Sequence, residues 1–224
     1  TIFGFQPDLI LEIKNKNIFM NEKKISNKLS PKIFLENFIN KFNYQVPSNL
    51  PPMSVLLSGY LGYDIIRYFE KIPDKNIDDL HIPDVKLIRP TFTYIHDNQS
   101  NKLFYMKLHF NKKTNYSKEI SKLQKQITFD LTQFPIKKTR KNIIKDKKIK
   151  SNVTKKKFLN LVRKAKKYIS IGDIFQVVIS QRFEKKLNSE PLEIYKKIRK
   201  TNPSPFLYFF NFDQFQIIGS SPEI

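Results

Sequence analysis

YISIGDIFQVVISQRFEKKLNSEPLEIYKKIRKTNPSPFLYFFNFDQFQIIGSSPEI, residues 168–224, is the stretch on which the rest of the chain depends. Just before it, Thr154 can cap a helix whose Phe158, Leu161, Val162, Ala165, Tyr168 and Ile169 form one apolar stripe, and Gly172 can end that helix in the left-handed conformation. Asp173 to Phe183 then reads as a strand. With a period of two, Phe175, Val177, Ile179, Gln181 and Phe183 share one face, and Ile174, Gln176, Val178, Ser180 and Arg182 share the other. The second face sets an amide, a hydroxyl and a guanidinium among small apolar groups. It suits either a polar ligand cavity or an ordinary solvent-facing side, and spacing alone does not choose between them. A second helix begins at Pro191 with Leu192, Tyr195 and Ile198 directed inward. TNPSP, 201–205, then enforces an extended connection, because each proline removes a donor and restricts its predecessor. FLYFFNF and FQIIG pair across Asp213 as a hairpin that runs into Ser220-Ser221-Pro222-Glu223. By itself Glu223 is a lone carboxylate at a strand end, and such a residue is an ordinary surface-turn residue.

Composition sets the outer bounds. With 224 residues and 40% hydrophobic content the chain can bury a core, as one large domain or two small ones. No run of about eighteen apolar residues occurs, which argues against a membrane span and makes the cytoplasm the expected location. The absence of cysteine excludes disulfides, thiolate nucleophiles and cysteine-bound metal. A net charge of +21 would suit an anionic partner such as RNA. The excess of Lys accompanies abundant Ile, Asn, Phe and Tyr and scarce Ala and Gly, so it reads as a chain-wide bias rather than a local patch. No nucleic-acid partner is expected. The text opens on Thr1 in mid-pattern and closes on Ile224 without a turn or cap, so the chain is expected to be an internal fragment of a longer protein.

Upstream, DLILEIKNKNIFM, 8–20, gives two apolar runs around a Lys14-Asn15-Lys16-Asn17 turn. Ser30-Pro31 supplies a cap and first-turn proline for a helix carrying Phe34, Leu35, Phe38, Ile39 and Phe42, extending to about Tyr44. In SVLLSGYLGYDIIRYFEKIPD, 54–74, Ser54 to Leu57 is a short strand and Asp64 can cap a helix through Phe69. Gly59 and Gly62 are expected to let a strand and a helix approach closely. No Lys-Ser/Thr follows them as a phosphate loop would require. RPTFTYIHDNQSNKLFYMKLHF, 89–110, is the clearest hairpin in the chain. His81, His96 and His109 lie in or near it without an acidic or serine partner at suggestive spacing, so each is expected to be a surface or strand residue. A helix with Ile120, Leu123, Ile127 and Leu131 on one face follows. Beyond Pro135 comes IKKTRKNIIKDKKIKSNVTKKK, a basic tract without aromatic residues for base stacking, expected to be a solvated linker.

GDIFQVVISQRF, TNPSPFLYFF and IGSSPEI, in this order and at this separation, resemble the anthranilate synthase component I family of chorismate-utilising enzymes. FGFQPDLI, SGYLGYDIIRYFEKIP and IPDVKLIRP resemble that family's N-terminal region, so the likeness covers nearly everything except the Lys-rich tract. The resemblance implies an α+β fold of antiparallel sheets packed with helices. It divides the chain into an N-terminal region over 1–135, a basic linker over 136–153, and the start of a chorismate-binding catalytic domain over 154–224. It implies a lyase that adds ammonia to C2 of chorismate, loses the C4 hydroxyl, and eliminates pyruvate to leave anthranilate in tryptophan biosynthesis. Mg²⁺ is the implied cofactor, with its ligands beyond Ile224, and a glutamine amidotransferase subunit is the implied source of ammonia.

Residue roles follow only where positions match. Gln176 stands where isochorismate and salicylate synthases of the wider family have a water-activating lysine. An amide is no base at neutral pH, so Gln176 suits a nucleophile that arrives already able to attack. Glu223 matches the family's general acid, needed because hydroxide leaves poorly unless it is protonated. Pro205, Phe206 and Leu207 match the feedback pocket for tryptophan. Phe206 and Leu207 replace the usual Tyr and Met there, keeping an apolar lining but losing a hydroxyl. The family's catalytic histidine, chorismate-binding Gly-Thr and metal-binding glutamates have no counterpart in this sequence, which implies that the fragment alone is inactive. The sister aminodeoxychorismate synthase component I shares the glutamine-type strand, and an RNA-binding module is the alternative that rests on charge alone.

Overall fold

Asn15 and Lys16 both take positive φ, 49° and 64°, as a two-residue hairpin turn of the primed type requires. They join β1 (Ile2–Lys14) to β2 (Asn17–Met20), setting Leu11 opposite Met20 and Ile13 opposite Ile18. The structure is a computed structural model that describes residues 1–25, 29–109, 116–132, 149–187 and 189–221. Two compact units divide the chain, Thr1–Phe134 and Pro135–Ile224.

In the first unit β2 also pairs with β3 (Lys23–Lys24), and β1 runs antiparallel to β5 (Val85–Asp97) along most of its length. The other edge of β5 is shared by β4 (Ser58–Leu61) near its start and β6 (Lys102–Lys107) near its end. The order is β3-β2-β1-β5-β4, with β6 on β5, and every pairing is antiparallel. The period of two puts Leu11 and Ile13 of β1 and Val85 and Leu87 of β5 on one face, where they form the core with Ile18 and Leu35. Burying each such side chain contributes about 1.5–3 kcal/mol. At the far end of the sheet, aromatic rings stack across strands instead: Phe5 on Phe92 at 5.2 Å and Tyr94 on Tyr105 at 4.3 Å.

Leu35 arrives on α1 (Pro31–Asn40), which starts as the sequence indicates, with Ser30 Oγ accepting from the Ile33 amide. The helix stops at Asn40 rather than near Tyr44. Phe42 and Tyr44 instead meet edge to face at 5.1 Å, and both lie beside Arg89, which makes a two-bond clamp on Asp8.

Two readings in the 54–74 stretch are corrected. Ser54 ends a short 3-10 turn, Pro52–Ser54, and the strand begins four residues later at Ser58. Gly59 has φ of 151°, and a Cβ there would lie 2.0 Å from the Lys86 carbonyl oxygen, so this glycine admits the neighbouring strand rather than a helix. Gly62, not Asp64, occupies the N-cap of the following 3-10 helix, Tyr63–Tyr68; the Asp64 carboxylate accepts from Arg67 Nε at 3.0 Å instead. The β5–β6 hairpin is as expected, and α2 (Tyr116–Thr132) follows, tied to β6 by the Lys107–Glu119 ion pair. That contact holds the Glu119 carboxyl below its ordinary range.

In the second unit β7 (Lys150–Ser151) precedes α3 (Lys155–Ser170), whose Thr154 cap accepts from the Lys157 amide. Of the tract expected to be a linker, residues 136–148 lie outside the described residues. Gly172, with φ of 82°, closes α3: its amide bonds the Ile169 carbonyl while the Asp173 amide reaches back to Tyr168. The expected strand from Asp173 to Phe183 is corrected. Only β8 (Phe183–Glu184) pairs, with β7, and residues 173–182 form no strand ladder among the described residues. Alternation can specify faces, but a strand also needs a neighbour whose backbone groups it can bond. α4 (Pro191–Thr201) packs on the hairpin of β9 (Phe206–Asn211) and β10 (Gln216–Ser221), with Tyr195 and Ile198 half-buried and Leu192 exposed rather than inward. Helices and antiparallel sheets in both units make the fold α+β, as expected.

Candidate functional site

The hairpin of β9 and β10 is built by its turn. Asp213 adopts φ of 61°, and its amide bonds the Asn211 side-chain oxygen at 3.2 Å. The register then sets Phe206 opposite Ser221, Leu207 opposite Ser220 and Tyr208 opposite Gly219. Every residue singled out in TNPSPFLYFF as a ligand candidate thus lies at or beside the backbone that leads to Glu223.

Strand alternation separates two of those candidates. Leu207 shares its face with Phe209, whose ring lies 6.0 Å from that of Tyr195, so this face looks toward α4. Phe206 shares the opposite face with Tyr208 and is 45% exposed. Pro205 is exposed just ahead of β9. The three residues are contiguous, but the Phe206 and Leu207 side chains cannot both line one cavity on one face of the hairpin. On the α4 side, Ser220 Oγ donates to the Asn202 carbonyl at 2.7 Å, fixing the proline-rich connection to β10. Ser204 Oγ in that connection is buried without a hydrogen-bond partner among the described residues.

Gln176 lies in the unpaired stretch and is exposed. The polar face expected there does not assemble: Phe175, from the supposed opposite face, is 98% exposed and Val178 is 81% exposed. Arg182 instead pairs with Glu184 at 2.8 Å, and Gln181 accepts from Ser151. Glu223 lies outside the described residues. Pro205, Phe206 and Leu207 thus lie together at the start of β9, and Gln176 lies in the segment 173–182 that joins no strand ladder among the described residues.

His81 is a surface residue, but with an acidic neighbour three residues away that the sequence expectation did not include, and His96 is a strand residue. His81 Nδ1 is 3.6 Å from Asp78, and His96 lies within β5 near Asn101. Among the described residues no group of three or more His, Asp or Glu could hold a metal ion.

Two arrangements were not legible in the sequence. In the first unit Asp84 Oδ2 accepts from the Tyr68 hydroxyl at 2.6 Å and from the Asn15 amide at 3.3 Å, while the Tyr60 hydroxyl donates to the Pro83 carbonyl. Burial, then the bond to Asp84, pushes the Tyr68 phenol up; burial, then the Glu12 charge, does the same for Tyr60. Tyr60 and Tyr68 both lie well upstream of Pro83-Asp84, so no local pattern signals the arrangement. The second is the contact of Tyr208 with Gly219, for which glycine opposite an aromatic residue is the only sequence trace.

Residues 2–224 match the family model of the chorismate binding enzymes. Anthranilate synthase component 1 of Cereibacter sphaeroides is 32% identical over 237 residues, an alignment that covers 100% of this chain and 47% of the relative. The corresponding protein of Aquifex aeolicus is 35% identical over 200 residues, covering 85% of this chain and 39% of its own length. The crystal structure of anthranilate synthase component I from Streptococcus pneumoniae TIGR4 superposes with a TM-score of 0.83 at 27% identity, covering 100% of this chain and 50% of that one. The chain spans about half the length of the curated relatives it matches. The sequence match along the chain and the shared α+β architecture place it in the chorismate binding enzyme family.

Proposed function

We propose that this chain carries the N-terminal region, 1–135, a basic linker, 136–153, and the opening of the catalytic domain, 154–224, of an anthranilate synthase component I. The match across residues 2–224 carries this reading, supported by relatives that bear that name. The reaction joins ammonia to C2 of chorismate with loss of the C4 hydroxyl, and then eliminates pyruvate to give anthranilate. It is the committed step toward tryptophan. A glutaminase subunit is the proposed ammonia source, and the cytoplasm the proposed location. No described helix is long and apolar enough to cross a membrane.

Glu223 is the proposed general acid for the departing hydroxyl, and β10 ends two residues before it in sequence. Gln176 is the proposed neighbour of incoming ammonia, offering an amide that can orient the nucleophile but not deprotonate it. Pro205, Phe206 and Leu207 are the proposed tryptophan segment. The described residues do not fit an Mg²⁺ site. The Mg²⁺ ligands are proposed, from the family resemblance, to lie beyond Ile224, and no step here runs through the metal. A barrier of this kind needs acid, metal and substrate clamps assembled together, so the chain alone is proposed to be inactive.

The test is the natural full-length protein with chorismate, ammonium salt and Mg²⁺, read by anthranilate fluorescence. Ammonia-dependent fluorescence is the expected result, and none at any ammonium concentration would overturn the reading.

A further inference from the structure

Ser204 stands between Pro203 and Pro205 in the connection from α4 to β9. The residue is half-buried, and its hydroxyl oxygen is sealed from water without a hydrogen-bond partner among the described residues. Two neighbouring hydroxyls are satisfied: Thr201 Oγ1 donates to the Lys197 carbonyl at 3.0 Å, and Ser220 Oγ to the Asn202 carbonyl at 2.7 Å. The sequence explains the exception. A serine hydroxyl is often met by a backbone group within a few residues, and neither adjacent proline has an N–H to offer. A buried hydroxyl left without a partner weakens the folded chain, and a polar group that bonds it relieves that loss. Rotation about χ1 can carry the hydroxyl to the exposed side of the residue while the prolines hold the backbone in place.

We propose that Ser204 is a specificity-determining residue of the feedback segment, its hydroxyl donating to the carboxylate of the bound amino acid. The inference rests on the reading of Pro205, Phe206 and Leu207 as the tryptophan segment given above. Phe206 or Leu207 can hold an indole ring but not a charged head group, which needs hydrogen-bond donors. Pro203 and Pro205 supply none from the backbone, whereas Ser204 carries a hydroxyl with an uncommitted proton directly beside them. Pro205 is exposed and Phe206 is 45% exposed, so a small molecule can reach this part of the connection. The serine thereby ties binding to the head group, and an indole without a carboxylate gains nothing from it.

The test uses the natural full-length enzyme and its Ser204→Ala variant, with two readouts: the tryptophan concentration for half-inhibition, and the thermal midpoint with and without tryptophan. Without tryptophan the variant should melt at the parent's midpoint or above it, because no hydrogen bond is lost. A lower midpoint would show that the hydroxyl is bonded within the whole protein and would overturn the proposal. With tryptophan, the variant should need about 10-fold more inhibitor or beyond, the scale of one hydrogen bond to a charged group. Its midpoint should also rise less than the parent's at a given tryptophan concentration. Tryptamine, which lacks the carboxylate, should shift the midpoints of parent and variant equally, and a larger shift in the parent would overturn the carboxylate assignment. Two kinds of failure are distinguishable. If tryptophan neither inhibits the parent nor raises its midpoint, the reading of the segment fails and takes this inference with it. If the parent responds and Ser204→Ala responds equally, only the role of Ser204 fails.

Discussion

Glu12 and Lys86 stand directly opposite each other on β1 and β5, joined by an ion pair of 3.0 Å in which the lysine side chain is only 10% exposed. The Lys86 side chain is nearly out of contact with water, whereas Glu12 keeps partial contact with it. Lys86→Met should therefore destabilise the chain by about 1–3 kcal/mol, below the cost of orphaning a fully buried charge, because the carboxylate can rehydrate. The double change Glu12→Leu/Lys86→Met should recover most of that loss. Urea unfolding of the three proteins measures both effects, and a single variant as stable as wild type would show that the pair contributes nothing.

Gly59 is tested the same way. Its φ of 151° and the approach of the Lys86 carbonyl leave no room for a side chain. Gly59→Ala should cost about 2 kcal/mol or more, the scale of backbone strain at such a position, and should free the amides of β4 to hydrogen exchange. Gly172→Ala, where φ is 82° but the space is open, should cost only about 1 kcal/mol.

The tyrosines beside Pro83-Asp84 give a pH prediction. Tyr60 and Tyr68 hold their phenolic protons more tightly in the folded chain than in the unfolded one. The unfolded state therefore releases protons first as pH rises past about 10. Their contribution to stability is complete below that pH and is lost above it. Replacing both by Phe should flatten the alkaline limb of thermal midpoint against pH. A limb of unchanged slope would place the alkaline sensitivity elsewhere.

The opposite orientation of Phe206 and Leu207 bears on feedback inhibition. Only one of the two side chains can face a bound amino acid; the other can contribute backbone alone. In the full-length enzyme, Phe206→Ala and Leu207→Ala should shift the tryptophan concentration for half-inhibition unequally, by about tenfold or more in one and little in the other, as expected for loss of one buried apolar contact. Equal shifts, or no inhibition of the parent enzyme by tryptophan, would contradict the assignment of this segment.

What the sequence revealed and what it hid divide along physical lines. Turn chemistry at Asn15-Lys16 and Asp213, and caps at Ser30, Thr154 and Gly172, act through neighbouring residues, so they were legible and the hairpins and helices followed. The strand lies four residues beyond its expected start because Val55, Leu56 and Leu57 look more strand-like than Gly59, whose place depends on the approach of β5. Asp173 to Phe183 has ideal alternation yet forms no ladder over 173–182, since alternation carries no information about a partner. The site is harder still: adjacency in sequence hides that β9 turns the Phe206 and Leu207 side chains to opposite faces. The Tyr208–Gly219 contact depends on cross-strand register, which the hairpin fixes only once its turn is known.

Product identity tests the central claim most directly. The natural full-length protein and its Glu223→Gln variant, each supplied with chorismate, ammonium and Mg²⁺, are to be followed by mass-resolved chromatography. The account predicts anthranilate and pyruvate in equal amounts from the parent and neither from the folded variant. Accumulation of 4-amino-4-deoxychorismate by the parent, or anthranilate at a normal rate from Glu223→Gln, would contradict it.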